Sequence, residues 1–395
     1  MSVRSGDGTG GVDRRRFLRL MGLGSLGSVF VGCAAPPAAA PAAAPAAVAP
    51  AGTGAAPKAA WELEWERVLA AAKQEGAVAV VGPPGDDYRG ALAAFEKAYP
   101  DIRLDYLGVS GRDVEAKLIA ERDAGQYLVD VHVGGSTTAF SLKPHGVFAP
   151  LRPALILPDA LDDSKWRWGF DSAFLDNDRQ LMFGFDATIR PVVYVNRGLV
   201  PESELSTVEQ LLEPRWRGKI SWNDPRVNGG GSGSATHLLM VKGEDFWVRL
   251  LQQDVVATRD LRQQAEWIVR GTYPIAGGLD ITFLVPSVRE GLAQNVKPLA
   301  QDTETGGRME VGFGTAYLID KAPHPNAARV YLNWLLSQDG QSAWHTGTGR
   351  TSRRADVPAS PELAPDPNRT YHTTNAEDAL DQQLRVQELA RDILK

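Results

Sequence analysis

The stretch AVAVVGPPGDDYRGALAAFEKAYPDIRLDYLG, residues 77–108, decides the fold. AVAVVG reads as a buried strand, bounded by Gly76 before it and a glycine and proline loop after it. Tyr88, Leu92, Phe95 and Tyr99 then recur at helical spacing and stop at Pro100, after which IRLDYLG is a second strand. Strands joined by a crossover helix run parallel, and a sheet built this way is covered on both faces.

The same alternation extends in both directions. Upstream, Trp61, Trp65, Val68 and Ala72 mark a helix that Gly76 can end. Downstream, Val114, Leu118 and Ile119 mark another, ending near Gly125, and LVDVHVG from Leu128 is a third strand. Strand starts near 77, 102 and 128 give a repeat of about 25 residues, the signature of an open α/β lobe. Ligands of such sheets bind beyond the carboxyl ends of the strands. Three loops lie there: GPPGDDY at 82–88, GVSGRD at 108–113 and GGSTT at 134–138. Gly135, Ser136 and Thr137 combine close backbone approach, two hydroxyls and a helix start, which suits an anion. They also make an ordinary glycine turn with a serine cap, and both readings stand.

A second set of elements follows. RQLMFGFD and IRPVVYVN read as strands, residues 205–213 as a short helix and RGKISWN as another strand. NGGGSGSATHLLM, residues 228–240, then puts four glycines and two serines before an apolar run. The loop holds no lysine, so it is not the phosphate loop of a nucleotide hydrolase. Strand signals on both sides lie too close for a domain linker. Two readings remain: a helix opening near Ser232 toward a ligand, or a plain glycine-rich turn. YPIAGGL, VKPLA, a strand-like EVGFGTAYLI and a helical PNAARVYLNWLLSQDGQSAWHTG complete the pattern, with Ala327, Val330, Trp334 and Ser337 on one helical face. The whole is an α/β chain with two lobes.

Arg112, Arg190 and Arg226 each fall at or beside a strand end. One such arginine is ordinarily solvated or paired with a carboxylate. Three of them, with two anion-friendly helix starts, favour a ligand carrying carboxylate or phosphate-like oxygens. Asp87, Asp224 and Asp280 either pair with these arginines or meet a cationic part of the ligand; Tyr88 and Tyr273 either pack or stack on it. Catalysis finds little support: the six histidines form no HxxxH pair, and the glycine-serine run ends in Ser234 where a nucleophile elbow needs glycine. No metal site and no cofactor are expected.

Composition agrees. At 395 residues, 43% hydrophobic and 23% charged, the chain can build two domains. The formal charge of −6 gives no electrostatic reason to expect nucleic acid. Residues 1–32 carry five arginines and two aspartates, so without them the charge is −9. Those residues read as an export signal, a basic stretch before an apolar run too short to span a bilayer. Arg14 to Arg19 resembles a twin-arginine signal, and Phe30-Val31-Gly32-Cys33 resembles a lipobox that would lipidate Cys33. Residues 34–60, nearly pure alanine and proline, read as a tether that reaches on the order of 80 Å when extended.

Taken in order, WERVLAAAKQEGAVAVVGP, FEKAYPDIRLDYLGVSG, DVHVGGSTTAF, PVVYVNRGLVP, LLEPRWRGKISWNDPR and HPNAARVYLNWLLSQDGQ resemble one family over residues 61–358. It is the extracellular solute-binding lipoproteins of ABC importers, of the type II, iron(III)-transport-like group. The resemblance implies two lobes joined by hinge strands, residues 61–192 with 308–360 and residues 193–307 with 361–395. It implies a monomer that closes on a small solute and delivers it to a membrane permease driven by an ATPase subunit. It also implies a crossing near Pro191 to Val195 and ligand contacts near Pro83, Ser110, Gly135, Ser136, Thr137, Arg190, Asp224 and Asp280. Iron-binding members carry adjacent tyrosines in that last region, where this chain has GGLDITFLV. An organic or phosphorus-containing anion, or a chelated metal, is therefore expected instead of bare iron(III). The competing expectation is an enzyme or sensor on the same scaffold.

Overall fold

In the computed structural model β1 (Ala77–Gly82) and β2 (Arg103–Gly108) pair in parallel from Ala77 opposite Arg103 to Gly82 opposite Gly108. Residues 58–299, 307–359 and 364–394 are described, apart from 367, 370 and 372, with only the backbone of 112, 282 and 285. The export segment, Cys33 and the tether up to residue 57 lie outside them. A helix already begins at Ala60, at the expected end of the tether, and runs to Glu75. β3 (Val131–Gly134) lies parallel on the other side of β1, and β1 and β3 are buried. β2 is an edge strand with half-exposed residues, so the expectation of two covered faces fails there. Its charged Arg103 and Asp105 pair at 2.7 Å, the kind of chemistry that discourages edge-to-edge association. Short strands β4 (Phe148–Ala149) and β5 (Phe183–Gly184) complete the first part of the sheet.

Pro191 lacks the amide a continuous strand needs, so IRPVVYVN, expected as one strand, becomes two. β6 (Thr188–Arg190) leaves the first lobe, and β7 (Val193–Asn196) enters a second sheet. That sheet adds β8 (Ile220–Asn223), β9 (Val256–Thr258), β10 (Ile275–Gly277) and β11 (Val296–Pro298) in the order β11-β7-β10-β8-β9. Residues 205–213 form only one 3-10 turn, Glu209–Leu212. β12 (Arg308–Glu310) pairs antiparallel with β6 in a separate two-stranded ribbon. EVGFGTAYLI, expected as one strand, breaks at Gly312, whose φ of +49° suits a residue without Cβ. β13 (Thr315–Ile319) then re-enters the first sheet, antiparallel to β3. The chain thus leaves and returns through the β6–β12 ribbon.

Each lobe has its own core. Val78, Val80, Val131, Phe95, Tyr331 and Trp334 are buried together in the first, and Trp216, Trp222, Trp247, Leu238 and Val386 in the second. Val386 belongs to the C-terminal helix Leu380–Ile393, which is pinned to the second lobe by Gln387 donating to Asn228 at 2.7 Å and by Arg385 pairing with Glu244 at 2.6 Å. Just before it, Glu377 pairs with Lys143 of the first lobe at 2.6 Å.

Candidate functional site

A cavity of about 820 Å³ lies where the strand ends of both lobes meet the ribbon. Its size is in the range of small-molecule sites. The first lobe contributes Gly82 and Pro83 after β1 and Gly134 to Thr138 after β3. Tyr106 donates to the Pro83 carbonyl at 2.6 Å and its ring fills the space a Cβ on Gly82 would occupy, which fixes that loop. Tyr88 lines the cavity and packs edge-on against Phe313 with centroids 5.5 Å apart; burial pushes its phenol pKa up. His132 lies beneath Gly134, stacked on Tyr317. Burial outweighs a hydrogen bond to Val81 and lowers its pKa to about 4, so the ring is neutral at pH 7.

The second lobe contributes the glycine-serine helix, which starts at Gly230 and runs to Lys242. Its glycines have separate uses. A Cβ on Gly231 would lie 1.8 Å from the Asn223 carbonyl oxygen, and one on Gly233 would lie 3.1 Å from the Arg308 guanidinium carbon. The run therefore lets the helix sit directly on the end of β8 and lets an arginine lie against its backbone. Asn223 anchors the first turn by accepting from the Gly231 amide at 2.9 Å. Gly278 and Asp280 close this side.

The ribbon and the segment after β13 supply the charge. Arg190, Arg308, Glu310 and Arg350 all line the cavity. Glu310 Oε2 lies 3.3 Å from Arg190 and 3.6 Å from Arg308. Burial alone would raise its pKa, yet Arg308, Arg350 and Arg190 hold it below the usual carboxylate range. Arg350 pairs with the fully buried Asp186, and the missing Cβ of Gly312 makes room for its guanidinium. Burial disfavours the Arg350 charge, but Asp186 and Glu310 outweigh it and keep the group protonated.

Of the residues expected from sequence, Pro83, Tyr88, Gly135, Ser136, Thr137, Arg190 and Asp280 converge on this cavity. Four others do not line it. Ser110 caps the helix Gly111–Asp123, accepting from the Asp113 amide at 3.4 Å and donating to its carboxylate at 2.6 Å. Asp224 and Arg226 pair with each other at 2.8 Å, and Arg259 adds a second guanidinium to the same carboxylate at 2.8 Å. Ser232 is buried and turned back on its own helix start, where its hydroxyl donates to the Gly229 carbonyl at 3.1 Å. Its neighbours Gly229, Gly230, Gly233 and Ser234 line the cavity instead. Arg112 is the second residue of the helix Gly111–Asp123; its side chain lies outside the described set. Tyr273 packs on Trp267 with centroids 4.9 Å apart.

Sequence reading missed Arg259, Arg308, Glu310 and Arg350. A signal existed for two of them, because alternate residues of a strand share one face and Arg308 and Glu310 are two apart in RMEV. Among the described residues no group of three or more His, Cys, Asp or Glu side chains could hold a metal ion.

The chain resembles several known proteins. Iron uptake protein A2 of Synechocystis is 29% identical over 197 residues, covering 47% of this chain and 56% of that protein. Trichodesmium IdiA (FutA), solved in complex with iron and citrate ligands, superimposes with a TM-score of 0.64 at 18% identity, over 81% of this chain and 99% of its own. AfuA of Actinobacillus pleuropneumoniae, a periplasmic binding protein solved with exogenous fructose-6-phosphate bound, gives 0.55 at 18% identity over 81% and 99%. Residues 81–342, well over half of the chain, match the family model described as bacterial extracellular solute-binding protein. With two lobes around a polar cavity and a family match of that length, the chain belongs to the bacterial extracellular solute-binding proteins.

Proposed function

We propose that this protein captures a small organic anion between its lobes and delivers it to an ABC permease driven by a separate ATPase subunit. One observation carries the reading: four arginines, Arg190, Arg259, Arg308 and Arg350, line a single interlobe cavity that they share with Glu310 and Asp280. Guanidinium groups are the natural partners of carboxylate and phosphoryl oxygens. Ser136 and Thr137 on the opposite wall add hydroxyl donors. The solved relatives with citrate and with fructose-6-phosphate hold oxygen-rich anions, which supports the same class here. The absence of tyrosines from GGLDITFLV argues against bare ferric ion, so a metal would arrive only within a chelate.

Capture works by population shift. A solute that touches both lobes binds the closed form better than the open one, and that difference in affinity drives closure about the ribbon. Export through the twin-arginine route and lipidation at Cys33 would hold the folded monomer near the membrane, with the alanine and proline tether setting its reach.

The test is thermal unfolding against organic phosphates, phosphonates, carboxylates and ferric chelates. A ligand at a hundredfold excess over its Kd adds about 2.7 kcal/mol of stability and raises Tm. If the folded protein shows no rise with any of these classes, anion capture is wrong.

A further inference from the structure

The cavity holds hydrogen-bond acceptors as well as cations, and part of their accepting capacity is unspent. Glu310 sits among the arginines, but its contacts with Arg190 and Arg308, at 3.3 and 3.6 Å, are longer than the roughly 2.7–2.9 Å of a tight charge-assisted bond. A carboxylate has about four lone-pair sites, so two loose cations do not saturate it. His132 gives a second acceptor. Its Nδ1 lies 3.0 Å from the Val81 carbonyl, which can only accept, so Nδ1 carries the proton and Nε2 presents a lone pair. That Nε2 is buried at the cavity wall under Gly134 with no hydrogen-bond partner among the described residues. On the donor side, Arg308 Nε and the terminal nitrogen Nη2 of Arg350 are buried and unpartnered in the same way.

We infer that the solute is a hydroxylated organic anion, whose phosphoryl or carboxylate oxygens meet the arginines while at least one of its hydroxyls donates to Glu310. This rests on the anion-capture reading and narrows it. The donor is a hydroxyl and not an ammonium, because four guanidinium groups against two carboxylates, Glu310 and Asp280, leave the cavity with excess positive charge, which repels a further cation but not a neutral O–H. The cavity volume of about 820 Å³ has room for a carbon skeleton beyond an inorganic oxyanion.

The experiment is isothermal titration of the full folded chain with matched pairs that differ only in hydroxyls. The pairs are glycerol 3-phosphate against propyl phosphate, glucose 6-phosphate against (tetrahydropyran-2-yl)methyl phosphate, and citrate against tricarballylate. The hydroxylated member of at least one pair binds tenfold or more tighter, and whether it is a phosphate or a carboxylate identifies the anionic head. In Glu310→Gln that preference falls below about threefold, while the hydroxyl-free anion binds tighter than to the wild type because a negative charge has gone. Equal affinity within every pair that binds overturns the hydroxyl assignment and leaves anion capture standing. No binding by any member, together with no rise in Tm from the wider panel of anions above, overturns both. The wild-type comparison decides the matter even where the Gln variant folds poorly.

Discussion

Arg190 and Arg308 are direct cross-strand partners in the β6–β12 ribbon, so the two strands that connect the lobes place like charges opposite one another. Such pairs destabilise an antiparallel ladder. Glu310, two residues beyond Arg308 and therefore on the same face, lies within 3.6 Å of both guanidinium groups. One carboxylate offsets two cations only partly. In the capture proposed above, an anion entering the cleft would relieve that excess of positive charge, which would tie occupancy to the ribbon that joins the lobes.

The two arginines differ in what their loss does. Arg190→Ala removes one member of the like-charge pair, so Tm stays the same or rises, while affinity for any captured anion falls by about 1.5–3 kcal/mol, the contribution of a hydrogen bond to a charged group. Arg308 is 4% exposed and lies against Gly233, so Arg308→Ala also leaves a void and lowers Tm. Titration calorimetry and thermal unfolding of both variants separate the cases. Equal losses of Tm would contradict the role assigned to the pair.

Glycines in this chain are not interchangeable. Gly231→Ala drives a Cβ to 1.8 Å from the Asn223 carbonyl, so the helix must move off β8; we expect a loss of about 1–3 kcal/mol and weaker ligand capture. Gly90 is exposed within the helix Asp86–Ala93 and a Cβ there meets nothing within 4 Å. Gly90→Ala is expected to stabilise by about 0.5–1 kcal/mol. Urea unfolding of the pair should give shifts of opposite sign.

His132 sets a pH limit on stability. Its folded pKa of about 4 lies below the unfolded value of about 6.5, so the unfolded chain takes up the proton first as pH falls. Stability from this group is complete above pH 6.5 and lost between there and pH 4, on the order of 3 kcal/mol in all. Chemical unfolding at intervals from pH 7.5 to 4 reads the slope, and NMR of the imidazole protons reads the pKa directly. A ring that titrates near 6.5 in the folded protein would remove this limit.

The parallel order of β1, β2 and β3 was readable because AVAVVG and the Tyr88 to Tyr99 spacing each admit one period, and periodicity is a local property. The loops at their ends followed from topology, and 82–88, 108–113 and 134–138 all reach the cavity. What sequence concealed was relational. Arg308 meets Arg190 only through a register of three residues per strand, too short to carry a pattern. Ser110 looks the same whether it caps a helix or faces a ligand, since both put a serine before a helical run. Arg226 offers the same two readings, a ligand contact or a pair with a carboxylate such as Asp224, and the structure shows the pair.

That last pair gives a test of its own. The Asp224 side chain is 1% exposed and accepts from Arg226 at 2.8 Å and from Arg259 at 2.8 Å. Burial would push its pKa up, but the two guanidinium groups and the Arg226 amide outweigh it and bring the value to about 2. A folded pKa below the unfolded value of about 3.9 means that the carboxylate stabilises the fold above pH 4 and stops doing so as pH falls toward 2. Asp224→Asn should therefore lose about 2 kcal/mol at pH 7, and its stability should fall less steeply than the wild type's between pH 4 and 2. Arg226 and Arg259 are exposed enough to be resolvated, so the variant still folds, and because Arg259 lines the cavity the loss of its counter-charge leaves anion binding at pH 7 unchanged or tighter. A large loss of affinity in Asp224→Asn with unchanged stability would instead place Asp224 in contact with the solute.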